Sequence, residues 1–134
     1  MNVEIFVLCW DMVIDYKTGL LTINNSFDIL PPQQLPFVFP DDLYIVVKFC
    51  FNSDENPKNL KVSILSIQDN SLQDIERELQ KHPKPLFDTF MYPEKISLGG
   101  VTLFSYGKYN ITLYVDGVQI AEKPFYFPRP VSLN

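Results

Sequence analysis

The chain has 134 residues, 46% apolar and 20% charged, with sixteen acidic residues against eleven basic ones for a net charge of −5. That length corresponds to a single globular domain, expected over residues 1–128 with a C-terminal tail at 129–134, and it buries enough surface to fold without a metal or a disulfide. With Arg77 and Arg129 as its only arginines, the chain lacks the basic footprint on which phosphate-backbone affinity depends, which argues against nucleic acid as a partner.

Residue usage favours strands. One alanine, Ala121, stands against eleven valines, eleven isoleucines and 14% aromatics, a profile suited to a pleated surface rather than to a helix. Eleven prolines between Pro31 and Pro130 break most long helices.

In chain order, Val3 to Trp10 is apolar but has no positive leader, carries Glu4 and runs into Asp11 and Asp15, so it reads as a first strand rather than a signal peptide. No segment reaches the ~20 apolar residues of a membrane span, and the expectation is a cytoplasmic protein without membrane contact. Cys9 and Cys50 then pack reduced, as small hydrophobes on apolar strands. After a Lys17-Thr-Gly19 turn, Leu21, Ile23, Phe27 and Ile29 alternate with Thr22, Asn24, Ser26 and Asp28, a strand with one solvated face. Pro31 to Pro40 holds four prolines and reads as an extended crossover outside the sheet interior. Residues 42–52 are apolar at nearly every position, as in a central strand covered on both faces.

A polar turn over 52–59 leads to a strand from Leu60 to Ile67, in which a change of face predicts a bulge near Ser63 to Leu65. Ser71 as a cap, Leu72, Ile75 and Leu79 at helical spacing, and a stop at His82-Pro83 predict one short peripheral helix. Leu86 to Met91 and Ile96 to Phe104 read as strands, the second softened by Gly99-Gly100. Tyr109 to Val115, an Asp116-Gly117 turn and Val118 to Phe127 form a hairpin, with Pro124 placing its second strand at an edge or a bulge.

About eight strands and one helix predict an all-β domain: a two-sheet antiparallel sandwich, immunoglobulin-like, with an up-and-down barrel as the alternative. Gly107-Lys-Tyr109 stands where such sandwiches carry a tyrosine corner, the phenol bonding back to nearby backbone.

Two stretches resemble a family of small, functionally uncharacterised bacterial proteins. One is Val3 to Cys9 followed by Gly19-Leu-Leu-Thr-Ile and Phe27-Asp28; the other runs from Gly107-Lys-Tyr109 through Val115-Asp-Gly117. Trp10 and the insert near Asn70 to Pro83 depart from that pattern. The resemblance implies a cytoplasmic, non-enzymatic β-sandwich module and carries over no catalytic residue.

Chemistry-bearing constellations are sparse. The single histidine, His82, has no spacing to a nucleophile, and two distant cysteines with it make a poor zinc site. Asp11, Asp15, Asp41-Asp42, Asp54-Glu55 and Asp116 fall at expected turns, where acidic loops can converge on calcium or a sugar but where Asp also serves its own backbone. No glycine-rich phosphate cradle is present. An enzyme is therefore disfavoured, and no cofactor is expected.

Aromatic segments are the remaining signal. Phe37 and Phe39 lie on the crossover, and Phe125, Tyr126 and Phe127 on the edge strand. Exposed, they would mark a contact surface for another protein or a second copy of the chain; packed inward, Phe37 or Phe39 would plug one end of the sandwich and Phe125 and Phe127 would face the core, with Tyr126 facing out. The expected function is a protein-binding or scaffolding module acting through that edge strand or the crossover. A calcium- or saccharide-binding sandwich and a structural subunit of a viral or phage-type assembly are the alternatives.

Overall fold

The computed structural model of the chain describes residues 2–14, 21–52, 55–79 and 89–131. Ten strands run through them: β1 (Asn2–Ile14), β2 (Leu21–Phe27), β3 (Phe37–Val38), β4 (Tyr44–Asn52), β5 (Asn59–Ser66), β6 (Leu72–Glu78), β7 (Thr89–Ser97), β8 (Thr102–Leu103), β9 (Gly107–Val115) and β10 (Val118–Phe127). They form two four-stranded sheets, ordered β2-β1-β4-β7 and β10-β9-β5-β6, and a small β3-β8 pair. Every ladder between them is antiparallel.

β4 lies between β1 and β7, and its β-branched run explains why it takes a central place. Ile45 and Val47 enter the main core while Val46, on the other face, packs with Cys9 and Met12 in a second apolar cluster. β9 is central in the other sheet, and alternation puts Tyr109, Ile111, Leu113 and Val115 inside. Its hairpin with β10 closes through Asp116 and Gly117, both at positive φ (49° and 81°), the backbone that a two-residue primed turn requires.

One buried cluster joins both four-stranded sheets: Leu8, Ile45, Phe49 and Ile96 from the first meet Val62, Ile111, Leu113, Phe125 and Phe127 from the second. Polar ties cross between the sheets at one side. The Arg77 guanidinium donates to the Lys95 carbonyl (2.8 Å) and reaches Glu94 at 3.8 Å.

Several expectations are corrected. Residues 72–78 form the edge strand β6, not a helix, because register with β5 sets their faces: Gln73 and Ile75 turn inward and Leu72 is 59% exposed. Ten strands replace the expected eight, since the crossover contributes β3 and residues 72–78 contribute β6, while the strand expected over Ile96 to Phe104 divides between the end of β7 and β8. Gly99 stands at that break with no room for a side chain, since a Cβ there would lie 2.9 Å from Asp41 Cα. β5 pairs in regular register, and the irregularities fall instead between Val3 and Ile5 and between Gln119 and Ala121. Asp11 sits inside β1 rather than at a turn, and Ile29 is 62% exposed rather than core-facing. Pro124 does lie on an edge strand, β10. The 17–19 turn, Asp15, Asp54, His82-Pro83 and Leu86 to Asp88 lie outside the described residues.

Among the described residues, no helix is long and apolar enough to cross a membrane.

Candidate functional site

The crossover is pinned inward. The Phe39 N–H donates to Val101 O (2.8 Å) and Phe39 O accepts from Gly100 N (2.9 Å), which drives the Phe39 ring into the core. A row of rings results. Tyr106 packs on Phe127 (centroids 5.2 Å), Phe127 on Phe37 (5.5 Å), Phe37 on Phe39 (5.8 Å), Phe39 on Phe125 (6.3 Å) and Phe125 in a stack on Tyr109 (4.9 Å). Four of the five aromatic candidates are thus brought together. Phe39, Phe125 and Phe127 are buried, Phe37 is half-buried, and Tyr126, on the opposite face, is 43% exposed.

The edge beside Tyr126 is occupied. Its N–H donates to Asp28 O (2.8 Å) and its carbonyl accepts from Leu30 N (2.9 Å), so the chain's own 28–30 segment takes the outward backbone groups at this rung. An ion pair between Lys123 and Asp28 (2.9 Å) closes over the same place. An incoming strand finds no free hydrogen-bonding pair at Tyr126.

Where the ring row reaches the surface, an open cleft of about 540 Å³ lies between the crossover, the β8–β9 connection and the end of β10; its lining includes Leu35, Gln68, Phe104, Tyr106, Phe127 and Arg129. Each wall is held locally. The Tyr106 phenol donates to Gln33 O (3.0 Å), and the Arg129 guanidinium lies 5.4 Å from the centre of the Tyr106 ring. Gly107 takes φ +114° to lead the chain into β9, a backbone that a larger residue would strain. The Tyr109 phenol donates to Ser105 O (2.6 Å), the expected back-bond at this corner, and Ser105 Oγ also meets Ser66 Oγ at 3.0 Å. Phe104, by contrast, is 61% exposed at the cleft.

Three described acidic residues serve the backbone. Asp116, at its expected turn, accepts from Asn59 N (2.9 Å) and Lys58 N (3.1 Å), Asp11, inside β1, from Met12 N (2.7 Å) and Asp69 from Ser71 N (2.8 Å). Hydrogen bonds from Ser71, with a further one from Ser105, hold the Asp69 carboxyl at about 2. Among the described residues, no group of three or more His, Cys, Asp or Glu is placed to hold a metal.

Both cysteines are free, Cys9 buried and Cys50 half-buried. Cys9 is registered with Tyr44 and Cys50 lies six residues further along β4, roughly 20 Å, well beyond disulfide reach. Burial pushes the Cys9 thiol above its usual value.

Sequence reasoning passed over Leu35, Phe104, Tyr106 and Arg129. The signal was there: two aromatics, Phe104 and Tyr106, alternate in a short connection between Gly100 and Gly107 where turn-forming polar residues are the norm.

Compared with known proteins, a family model described as a family of unknown function (DUF6941) matches residues 4–127. No curated protein and no solved structure matches the chain.

Proposed function

We propose that this chain, which belongs to the DUF6941 family of unknown function, is a non-enzymatic protein-binding or scaffolding module, and that its contact surface is the cleft beside Phe104. The observation that carries the reading is the exposed Phe104 phenyl at a concave site whose other aromatics are already fixed by packing. Burying that ring against a partner contributes about 1–2 kcal/mol, and the fixed walls add little ordering cost. Large aromatic anchors at partly desolvated pockets commonly dominate protein contacts.

The edge strand is the weaker place, because its backbone at Tyr126 is engaged by Asp28 and Leu30. The crossover contributes through Leu35 rather than through Phe37 or Phe39. We read the fold as a two-sheet, immunoglobulin-like sandwich, which the shared core and the Tyr109 back-bond support. The boundary between domain and tail, set at residues 128 and 129, then falls within the cleft, since Pro128 and Arg129 both line it.

The test is site-specific photocrosslinking in the native host, with benzoylphenylalanine at position 104 or at Val118, an exposed site at the start of β10. A discrete adduct from position 104 that is absent from position 118 is expected. Identical patterns from the two positions, or no adduct from 104, would overturn the assignment.

A further inference from the structure

We infer that the cleft selects an acidic partner: an extended peptide segment that lays an apolar side chain against Phe104 and sets a carboxylate on Arg129. This rests on the cleft being the protein-contact surface. In a chain of net charge −5, the described residues lining the cleft include one charged side chain, and it is a cation. Among the described residues Arg129 meets the Tyr106 ring and no carboxylate; the Asp69 carboxylate, which reaches the cleft lining at Ser105, is taken up by hydrogen bonds from Ser71 and Ser105.

The cation–π contact with Tyr106 matters because it takes up no N–H donor of the guanidinium, whose fork can then receive a carboxylate through two parallel bonds. A lysine-bearing partner would instead bring two cations together. An uncharged one would leave the guanidinium partly desolvated without a counter-charge. Gln68, on the same lining, adds an amide able to donate to and accept from a peptide main chain.

The probe is a set of three fluorescein-labelled octapeptides on one framework, a Phe-Leu centre flanked by Glu, by Gln or by Lys, titrated by polarisation against wild type, Arg129→Met and Phe104→Ser. The Glu peptide is expected to bind wild type about tenfold tighter than the Gln peptide, with the Lys peptide weakest, and added salt should shrink the gap. In Arg129→Met, which keeps the apolar stem, the gap should fall within about twofold while Gln-peptide affinity stays unchanged. Equal binding of Glu and Gln peptides to wild type, survival of the gap in Arg129→Met, or failure of the Glu peptide to bind overturns the proposal. A Gln peptide that binds wild type but not Phe104→Ser keeps the cleft and removes only the acid preference. Peptide binding untouched by Phe104→Ser removes the cleft reading too. Self-association of wild type that Phe104→Ser abolishes would make a second copy the occupant, which also overturns it.

Discussion

The side-chain amide of Gln73 pairs with the main chain of Thr102 in both directions, its Nε2 donating to Thr102 O (2.5 Å) and its Oε1 accepting from Thr102 N (3.0 Å). Thr102 belongs to β8, whose only strand neighbour among the described residues is β3, so the amide supplies the two hydrogen bonds that another strand would otherwise make. Gln73→Ala leaves both groups without that partner and should cost about 1–3 kcal/mol. Urea unfolding checks it: the midpoint falls with the slope unchanged, whereas a midpoint equal to wild type would show that water replaces the amide freely.

Tyr109 carries two separable contributions, a stack on Phe125 and a hydrogen bond to Ser105 O. Tyr109→Phe keeps the ring and removes the bond, for an expected loss of about 1–2 kcal/mol. Tyr109→Ala also opens the core and should lose about 3–5 kcal/mol. Near-equal losses in thermal melts would mean that the ring contributes nothing beyond its hydroxyl.

The helix that failed to form shows where local pattern runs out. Leu72, Ile75 and Leu79 do have helical spacing, and Glu76, Arg77 and Glu78 are good helix formers. Those same charges suit an exposed edge strand, and pairing with β5 supplies backbone and core contacts that an isolated short helix lacks. Ser63 adds a cross-strand bond to Asp74 (2.6 Å) that no local spacing reveals. By contrast, β4 and the 109–127 hairpin were legible because an apolar run and an Asp-Gly turn are local signals. The candidate aromatics were legible as a group, and alternation along β10 sends Phe125 and Phe127 inward, but the burial of Phe39 beside them goes with its bonds to residues 100–101. The cleft was the least legible feature, since Leu35, Phe104 and Arg129 meet only through the tertiary fold.

Asp69 gives the fold a defined acid response. Its carboxyl lies at about 2, below its ordinary 3.8, because Ser71 and Ser105 hydrogen-bond the charged form. A depressed folded value contributes stability above the unfolded value, and that contribution disappears as pH falls from about 4 through 2. Asp69→Asn should therefore differ from wild type most above pH 4 and converge with it near pH 2. The carboxyl is fully exposed, so the difference is small. An NMR titration of the Asp69 carboxyl carbon checks the cause, and Ser71→Ala should move the midpoint toward the ordinary value. A wild-type midpoint near 4 would contradict it.

Hydrogen exchange reads the closed edge. The Tyr126 and Leu30 amides, each bonded between the 28–30 segment and β10, should exchange slowly and with similar protection. Fast exchange at Tyr126 beside a protected Phe125 would mean that the edge is open in solution and available for strand addition.

The most direct test of the cleft uses the partner captured through position 104, with its affinity measured calorimetrically for wild type, Phe104→Ser and Tyr126→Ser. Both substitutions replace exposed aromatics and should leave the melting temperature within about 2 °C of wild type. The cleft predicts a loss of about tenfold or more for Phe104→Ser and little change for Tyr126→Ser. Loss at Tyr126→Ser with full affinity at Phe104→Ser would contradict it and return the contact to the β10 edge.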